Sequence, residues 1–277
     1  MVPILLGDMM AKNEKLERLE GYLANLEKLA VAFSGGVDST FLLKVAHMIL
    51  GDNVVAITVN GAIHPGWEIE SSKEIASRIG VRQILLDMDI FKNENIVTNP
   101  PDRCYHCKMA IFSMIKKTAK SYGIDNVADG SNIDDAGDYR PGMRALKELG
   151  ILSPLRDAGL GKEEIRILSK ELGLPTWDKP ALSCLATRIP YNTRITEETL
   201  SMIEAGEDFL RGLGFSQIRL RHLGNLAKIE VPPEDMMRLL EVREMVVKKL
   251  REIGYTYITM DMEGYNMGSM NRTIKGE

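Results

Sequence analysis

The segment Leu29-Ala-Val-Ala-Phe33-Ser34-Gly35-Gly36-Val37-Asp38-Ser39 decides the fold of this chain. The apolar residues Leu29–Phe33 predict a short buried strand, and the glycines that follow predict a tight turn. From Asp38 to Leu50 the apolar residues recur at helical spacing, so the turn leads directly into a helix. A strand, a glycine-rich turn and a helix in this order form the unit with which a doubly wound α/β fold binds phosphate.

Strands and helices continue to alternate on both sides of this segment, which predicts a mostly parallel sheet covered by helices on both faces. Further strands are predicted at 54–59, 83–86 and 126–128, and helices at 9–29, 66–79, 105–121, 143–149 and 162–172. After Pro190 the pattern predicts a helix at 196–211, strands at 216–221 and 227–231 joined by a Gly224-Asn225 turn, a helix at 233–252 and a strand at 256–260. We therefore expect a doubly wound α/β domain over 1–190 and a smaller α+β domain over 191–277.

The composition is that of a globular protein and excludes several classes. The chain has 277 residues, of which 44% are hydrophobic and 27% charged, and this excludes a mostly disordered or collagen-like protein. The formal net charge of −4 argues against non-specific nucleic-acid binding, which normally needs a basic excess. We find no apolar run long enough to cross a bilayer and no secretion signal, so we expect a cytoplasmic protein that does not bind membranes.

The turn Ser34–Ser39 has the chemistry of a pyrophosphate-binding loop. Its glycines let the backbone approach a ligand closely, and the helix that follows presents N–H groups and the positive end of its dipole. Ser34 and Ser39 add hydroxyl donors, and Asp38 can hold Mg²⁺, which prefers oxygen ligands. The Gly-Lys-Ser/Thr ending of a Walker A loop is missing. The alternative is a simple helix start, capped by Asp or Ser after a glycine turn.

These residues resemble the SGGxDS signature of the PP-loop ATP pyrophosphatase family. The segment Asp129-Gly130-Ser131-Asn132-Ile133-Asp134-Asp135 is similar to a second loop of that family, with an ordinary Asx turn as the alternative. The resemblance implies an adenine nucleotide α-hydrolase-like fold and an enzyme that splits ATP into AMP and pyrophosphate. It implies ATP contacts from Ser34, Gly35, Gly36, Val37, Asp38, Ser39, Val59, Gly130 and Lys162. For Lys162 the alternative is a solvated lysine at a helix start.

The three cysteines, Cys104, Cys107 and Cys184, are an odd number in a chain without a secretion signal, which argues against a disulfide scaffold. A structural zinc site normally needs four ligands, and the chain has no second CxxC pair. Three thiolates can hold a [4Fe–4S] cluster whose fourth iron has no protein ligand. Two alternatives stay open: a persulfide on Cys184 with redox exchange by the CxxC pair, and unrelated buried thiols.

Segments along nearly the whole chain resemble the LarE family, the ATP-dependent sulfur transferases of nickel-pincer nucleotide synthesis. They are Pro100–Lys108, Asp129–Asp135, Ser183–Arg188, Arg219–His222 and Asp261–Asn271. The resemblance implies that the carboxylates of pyridinium-3,5-biscarboxylic acid mononucleotide are adenylated and then converted to thiocarboxylates. Some members sacrifice the sulfur of one cysteine, at the position of Cys184. The additional Cys104 and Cys107 resemble the branch in which three cysteines hold a [4Fe–4S] cluster.

The resemblance also implies which residues act. The catalytic set is Cys184, Cys104, Cys107 and Asp38, with the cysteines as cluster ligands and Asp38 as the Mg²⁺ ligand. The substrate-binding set is Asp134, Arg188, Arg219, Arg221 and Glu230. Strand alternation places Arg219 and Arg221 on one face, where a solvated face is the alternative to an anion site, and Glu230 can instead pair with an arginine. The implied partners are the pyridinium mononucleotide, sulfide or another sulfur donor, and further copies of the chain in a homo-oligomer.

Three other functions compete with this interpretation. A tRNA thiolation enzyme also combines a PP-loop with three cysteines, but the acidic charge balance and the lack of a recognisable RNA-binding domain count against it. An ammonia-using PP-loop synthetase would not need three cysteines. A non-catalytic ATP sensor would bind ATP without releasing pyrophosphate.

Overall fold

The computed structural model describes residues 14–137, 141–180 and 183–266, which form two compact units. The first unit contains the described residues up to Asn60, Gly66–Met88 and those from Cys104 to 180. The second contains Gly61–Pro65, Asp89–Arg103 and those from 183 onward. The predicted boundary after residue 190 would leave Gly61–Pro65 and Asp89–Arg103 in the first domain. They join the second unit because they hydrogen-bond to its chain, as in Leu185 N–H to the Ile63 carbonyl at 2.8 Å.

A parallel sheet of four strands organises the first unit. Its strands are β1 (Leu29–Ala32), β2 (Val54–Asn60), β3 (Gln83–Asp87) and β4 (Val127–Ala128), in the order β3-β2-β1-β4. The chain runs outward from β1 through β2 to β3 and then returns to add β4 on the other side of β1. The strand order therefore reverses between β1 and β4, and the carboxyl ends of strands at such a point are where doubly wound sheets bind ligands.

The α-helices of the described residues are, in chain order, α1 (Glu14–Ala24), α2 (Val37–Leu50), α3 (Gly66–Ile79), α4 (Glu94–Val97), α5 (Arg103–Ser121), α6 (Pro141–Glu148), α7 (Pro154–Asp157), α8 (Lys162–Glu171), α9 (Glu197–Gly212), α10 (Met236–Glu241) and α11 (Arg243–Ile253). Short 3₁₀ helices lie at Gly51–Asn53, Ile90–Lys92, Ile133–Gly137, Leu185–Arg188 and Pro233–Asp235. None of the described helices is both long enough and apolar enough to cross a membrane.

Alternate residues of β1 pack into the cores on opposite faces of the sheet. Leu29 and Val31 belong to a core that also contains buried residues of α1, α2, α3 and α8. Ala30, between them, belongs to a second core with residues of α5 and α6. Helices therefore cover both faces, which explains why β1 and β2 are almost uniformly apolar. The predicted doubly wound, parallel α/β sheet is confirmed.

The second unit is a small α+β structure, as predicted. Its strands β5 (Arg219–Leu223), β6 (Leu226–Glu230) and β7 (Tyr257–Met260) form a sheet in that order. The β5 and β6 strands form the expected antiparallel hairpin through Gly224, which has a φ of 67°, and β7 pairs in parallel with β6. Helix α9 packs closely on the sheet at Gly206, where a Cβ would overlap a methyl group of Leu220.

Three sequence predictions need comment. The single helix predicted at 233–252 is wrong, because Val242 adopts φ −98° and ψ 11° and separates α10 from α11. The predicted strand at 216–221 begins at Arg219 instead. The predicted helix start at residue 9 and the end of the segment Asp261–Asn271 lie outside the described residues.

Candidate active site

Hydrogen bonds of two serine hydroxyl groups stabilise the loop between β1 and α2. The Ser34 and Ser39 hydroxyl oxygens lie 3.1 Å apart, and Ser39 also donates to the Gly36 carbonyl at 3.3 Å. Gly35 has a φ of 70°, and a Cβ there would lie 3.1 Å from the Ser72 Cβ. Helix α2 then starts at Val37, and its N-cap is Gly36, which has no side chain that could cap the helix. This geometry gives a short loop whose amide groups and helix N-terminus favour an anion.

A second loop, which follows β4, packs directly on the first. The two strands are neighbours, with Val31 opposite Ala128, so the loops leave the sheet side by side. A Cβ on Gly130 would lie 2.9 Å from the Ser39 amide nitrogen and 3.2 Å from its Cα. Only glycine permits this backbone approach without a shift. Asn132 then donates its side-chain amide to Asp38 Oδ1 at 3.2 Å.

Lys162, the first residue of α8, joins the same group. Its Nζ lies 2.5 Å from Asp38 Oδ2, and its backbone N–H donates to Asp134 Oδ2 at 2.7 Å. The Asp134 backbone N–H in turn donates to the Asn132 side-chain carbonyl at 2.9 Å. The Lys162 and Asp38 side chains are 31% and 22% exposed, so a ligand can reach both. The structure thus brings together Asp38, Lys162, Asp134 and Gly130, all of which were singled out from the sequence.

Not every polar or predicted residue in these loops is available to a ligand. Asp129 is 5% exposed and accepts hydrogen bonds from Ser131 and, at 2.7 Å, from Ser153, so it braces the loop internally. Val37 and Val59 bury their side chains in the two cores of the first unit. Any contact of these two valines with a nucleotide would therefore come from main-chain atoms.

Lys179 was not singled out from the sequence, yet it lies beside the glycine-rich loop. Its Nζ donates to the Gly35 carbonyl at 3.0 Å and lies 5.3 Å from the centre of the Trp67 ring. Burial lowers the pKa of Lys179, and the nearby Glu68 carboxylate partly opposes this shift. The residue lies outside any periodic pattern, and only its place before Pro180 at the end of the first unit marks it in the sequence.

Cys104 and Cys107 lie in the first turns of α5. They are one helical turn apart, so their half-buried thiols lie on the same side of the helix. Helix α6 approaches this turn at Gly142, where a Cβ would lie 3.4 Å from the Cys104 carbonyl oxygen. Tyr105 donates to Glu148 Oε2 at 2.6 Å, and this hydrogen bond is the main cause that raises the pKa of Tyr105.

Cys184 lies in the second unit, at the N-cap of the 3₁₀ helix Leu185–Arg188. Arg188 holds the turn from inside, because its NH1 donates to the Ser183 carbonyl at 2.6 Å and to the Cys184 carbonyl at 2.9 Å. Two further bonds of 2.8 Å join Arg188 to the Glu207 carboxylate, and the side chains of this pair are 2% and 3% exposed. The thiol of Cys184 remains half-buried and free.

Arg219 and Arg221 share a strand face, as predicted, and that face is not solvated. Arg221 donates to Glu230 Oε2 at 2.7 Å and to the Thr187 carbonyl at 2.9 Å, and Glu230 is fully buried. The Arg219 guanidinium lies 5.1 Å from the centre of the Tyr265 ring. Burial is the main cause that lowers the pKa of Arg219, and the positive charge of Arg188 adds to it. Arg188 therefore pairs with Glu207 and Arg221 with Glu230, and both arginines bind carbonyls of the turn that carries Cys184. The contact of Arg188, Arg221 and Glu230 with substrate stays a prediction.

Comparison with known proteins places these features in a family. A family model described as queuosine biosynthesis protein QueC matches residues 28–99. An uncharacterised protein of Synechocystis is 41% identical over 263 residues, which are 94% of this chain and 98% of that protein. The pyridinium-3,5-bisthiocarboxylic acid mononucleotide synthase of Lactiplantibacillus plantarum is 35% identical over 261 residues, 94% of this chain and 95% of that protein. This chain belongs to the LarE family.

Membership of the LarE family confirms the resemblance seen in the sequence and makes the protein an ATP-using sulfur transferase. A tRNA-specific 2-thiouridylase of Rickettsia africae is more distantly similar, at 28% identity over 189 residues, or 55% of this chain. The two similarities agree on PP-loop chemistry, and the similarity to the L. plantarum synthase covers more of this chain, 94% against 55%.

Proposed function

We propose that this LarE-family enzyme converts the carboxylates of pyridinium-3,5-biscarboxylic acid mononucleotide to thiocarboxylates at the expense of ATP, in the cytoplasm, as a step of nickel-pincer nucleotide synthesis. The observation that carries the proposal is the 35% identity to the L. plantarum synthase over 94% of the chain. The constellation of Asp38, Lys162, Asn132 and Gly130 supports the ATP-dependent half of the reaction.

In the first step, a carboxylate oxygen of the substrate attacks the α-phosphorus of ATP, and the bond to pyrophosphate breaks. The amide groups of the Ser34–Ser39 loop and the N-terminus of α2 stabilise the charge that develops on the phosphate oxygens. Lys162 supplies a mobile cation, since its ammonium is partly exposed and can move from Asp38 to a phosphate oxygen. The product is an acyl-adenylate with AMP as a good leaving group.

Asp38 fits the role of the Mg²⁺ ligand. Its carboxylate already faces a cation, the Lys162 ammonium at 2.5 Å, and it is partly exposed. A hard cation prefers such an oxygen ligand, so bound Mg²⁺ would replace the ammonium on Asp38 and neutralise charge on the phosphates. With Mg²⁺ bound and the Lys162 ammonium moved to a phosphate oxygen, the Asn132 side-chain amide would keep the Asp38 carboxylate oriented.

In the second step, a sulfur nucleophile attacks the carbonyl carbon of the acyl-adenylate and AMP leaves, which gives the thiocarboxylate. With sulfide as the donor, one C–S bond forms and one C–O bond breaks, without a change in oxidation state. We propose that Cys104, Cys107 and Cys184 deliver this sulfur and that they hold a [4Fe–4S] cluster. The two thiols on one turn of α5 support a shared ligand role.

The described residues contain no group of three or more His, Cys, Asp or Glu side chains that could hold a metal ion. No step above is routed through a cluster. Changing each cysteine to Ala tests the cluster: every variant should lose most of the iron bound by protein purified without oxygen. Full iron retention in Cys184→Ala would exclude a three-cysteine cluster.

We propose that Arg219 of the second unit and Asp134 of the first unit each contact the substrate. Arg219 is 5% exposed, and its planar guanidinium suits a phosphate or a carboxylate. We also propose that the protein works as a homo-oligomer.

The test is mass spectrometry of the products formed by protein purified without oxygen, with ATP, Mg²⁺, sulfide and the pyridinium biscarboxylate mononucleotide. The proposal expects AMP, pyrophosphate and a product in which sulfur replaces oxygen. AMP without a sulfur-containing product would leave adenylation standing and contradict the sulfur step. Absence of AMP from protein that binds ATP would contradict the proposal as a whole.

The similarity to a tRNA-specific 2-thiouridylase keeps tRNA thiolation as a second candidate. Its specific test is the nucleic acid that co-purifies with the protein. A retained tRNA pool that gains sulfur on addition of ATP would favour this candidate over the pyridinium substrate.

A further inference from the structure

Arg103 is a buried cation that the proposed chemistry does not use. It is the first residue of α5, belongs to the second unit and is 3% exposed. Its NH1 donates to the Asn99 side-chain oxygen and, at 3.1 Å, to the carbonyl oxygen of Ala186. Burial of a guanidinium is costly unless its donors are satisfied, so these bonds fix its position.

Asn99 extends this contact into an interlocked segment. Its side-chain amide donates to the carbonyls of Ile189 at 3.3 Å and Pro190 at 2.8 Å, and its own carbonyl accepts from Asn192 N–H at 2.8 Å. Asn99 is fully buried with a φ of 55°, a left-handed conformation that Asn tolerates better than most residues. The residues before α5 and those around the 3₁₀ helix after Cys184 are therefore held together within one unit.

The two residues joined by this contact lie close to cysteines in the sequence. Cys104 follows Arg103 directly, and Cys184 precedes Ala186 by two residues. The same unit thus fixes the residue that precedes the first cysteine and the turn that carries the last one.

We propose that Arg103 is a positioning residue that holds the turn carrying Cys184, so that sulfur transfer depends on it and adenylation does not. This rests on the proposed function, which names sulfur transfer as the step that the cysteines serve. A displacement of about 1 Å in a reacting group can cost on the order of 100-fold in rate, which makes one lost hydrogen bond sufficient.

The first test is backbone hydrogen exchange of Arg103→Met, with Arg194→Met as the matched control. Arg194 lies in the same unit, but its side chain is 57% exposed and pairs with Glu94 at the surface. Residues 183–192 contain the hydrogen-bonded amides of Leu185, Thr187, Ile189 and Asn192. Arg103→Met should speed their exchange about tenfold or more and leave residues 226–231 of the sheet unchanged, since local opening reports local stability. Arg194→Met should change neither.

The second test separates the two chemical steps in the complete reaction mixture. In Arg103→Met, AMP formation should stay within about twofold of the unmodified protein, and the sulfur-containing product per AMP should fall about tenfold or more. Equal losses of AMP and product, or faster exchange throughout the unit, would mean that Arg103 merely supports folding and would overturn the proposal. Unchanged exchange in residues 183–192 would overturn it as well.

If Arg103→Met fails to fold, Arg103→Lys provides the test. Lysine keeps the positive charge, but its shorter side chain lacks the planar guanidinium whose NH1 binds Asn99 and the Ala186 carbonyl. If the unmodified protein makes no thiocarboxylate, the proposed function fails, whereas the exchange measurement still decides whether Arg103 holds the Cys184 turn.

Discussion

Replacement of Gly130 by Ala tests whether the two loops at the end of the parallel sheet form one site. The new Cβ would lie 2.9 Å from the Ser39 nitrogen, 3.2 Å from the Ser39 Cα and 3.3 Å from the Asp38 carbonyl carbon. All three are backbone atoms, so no side chain can rotate away. Since favourable contacts between non-bonded heavy atoms begin near 3.5 Å, the loop must retreat by about 0.5 Å.

This retreat has a chemical consequence. The bond from Asn132 to Asp38 Oδ1 is 3.2 Å long, and an added displacement of about 0.5 Å takes it past the roughly 3.5 Å at which a hydrogen bond is lost. Overpacking of this kind costs about 1–3 kcal/mol in the free energy of unfolding. We expect ATP to bind about tenfold more weakly, because a disordered Asp38 carboxylate costs on the order of 1.4 kcal/mol of binding free energy.

Urea unfolding gives the stability change, and titration calorimetry with ATP and Mg²⁺ gives the affinity. Gly21→Ala is the matched control, because Gly21 lies within α1 and an added Cβ meets no atom within 4 Å. That control should stabilise the protein by about 0.5–1 kcal/mol through helix propensity and leave ATP binding unchanged. A Gly130→Ala protein with unaltered stability and ATP affinity would refute the packing of the two loops.

Three further predictions follow from single contacts. Asp38→Ala should abolish pyrophosphate release, measured by a coupled phosphate assay, and unaltered release would remove Asp38 from the metal role. Glu207→Gln should lower the free energy of unfolding in urea by about 3–5 kcal/mol, because Arg188 would keep a buried charge without its counter-ion; a loss below about 1 kcal/mol would contradict a dry ion pair. Burial lowers the pKa of His222 below its ordinary 6.5, so the unfolded chain binds the proton more readily. The melting temperature should therefore fall as the pH drops from about 7 towards 5, and His222→Gln should flatten this dependence.

The site in the first unit could be predicted from sequence because its signals are local. Ser34–Ser39 combines a strand, glycines and a helix start, and the Gly130 loop follows the next strand to pair with β1. The contact between Asp38 and Lys162 joins residues far apart in the chain, but each stands at a helix start that the sequence marks. Doubly wound topology then brings such helix starts to one edge of the sheet.

The second unit was less predictable because its important groups are defined by tertiary partners. Nothing in the local sequence indicates that Arg103 and Asn99 bind carbonyls of residues 186–190, or that Glu207 on α9 pairs with Arg188. The two excursions Gly61–Pro65 and Asp89–Arg103 interrupt the first unit in sequence, and only long-range hydrogen bonds assign them to the second. Helical periodicity across Val242 likewise hides a break that the backbone angles reveal.

The first unit has a lysine beside the loop that carries Asp38 and the second has an arginine beside the Cys184 turn, and the difference between the two side chains matches the role proposed for each. Lys162 is partly exposed, and in the proposed reaction its single ammonium would leave Asp38 for a phosphate oxygen each time ATP binds. Arg188 is buried, and its planar guanidinium holds Glu207 with two parallel bonds while it also binds the Ser183 and Cys184 carbonyls. The flexible lysine ammonium can exchange one partner for another, whereas the planar arginine guanidinium holds several partners in a fixed geometry. Lys162→Arg should therefore retain part of the adenylation rate, whereas Arg188→Lys should lose most of the sulfur transfer, because an ammonium cannot satisfy four partners at once. Equal activity of both variants in the AMP and thiocarboxylate assays would contradict this division of roles.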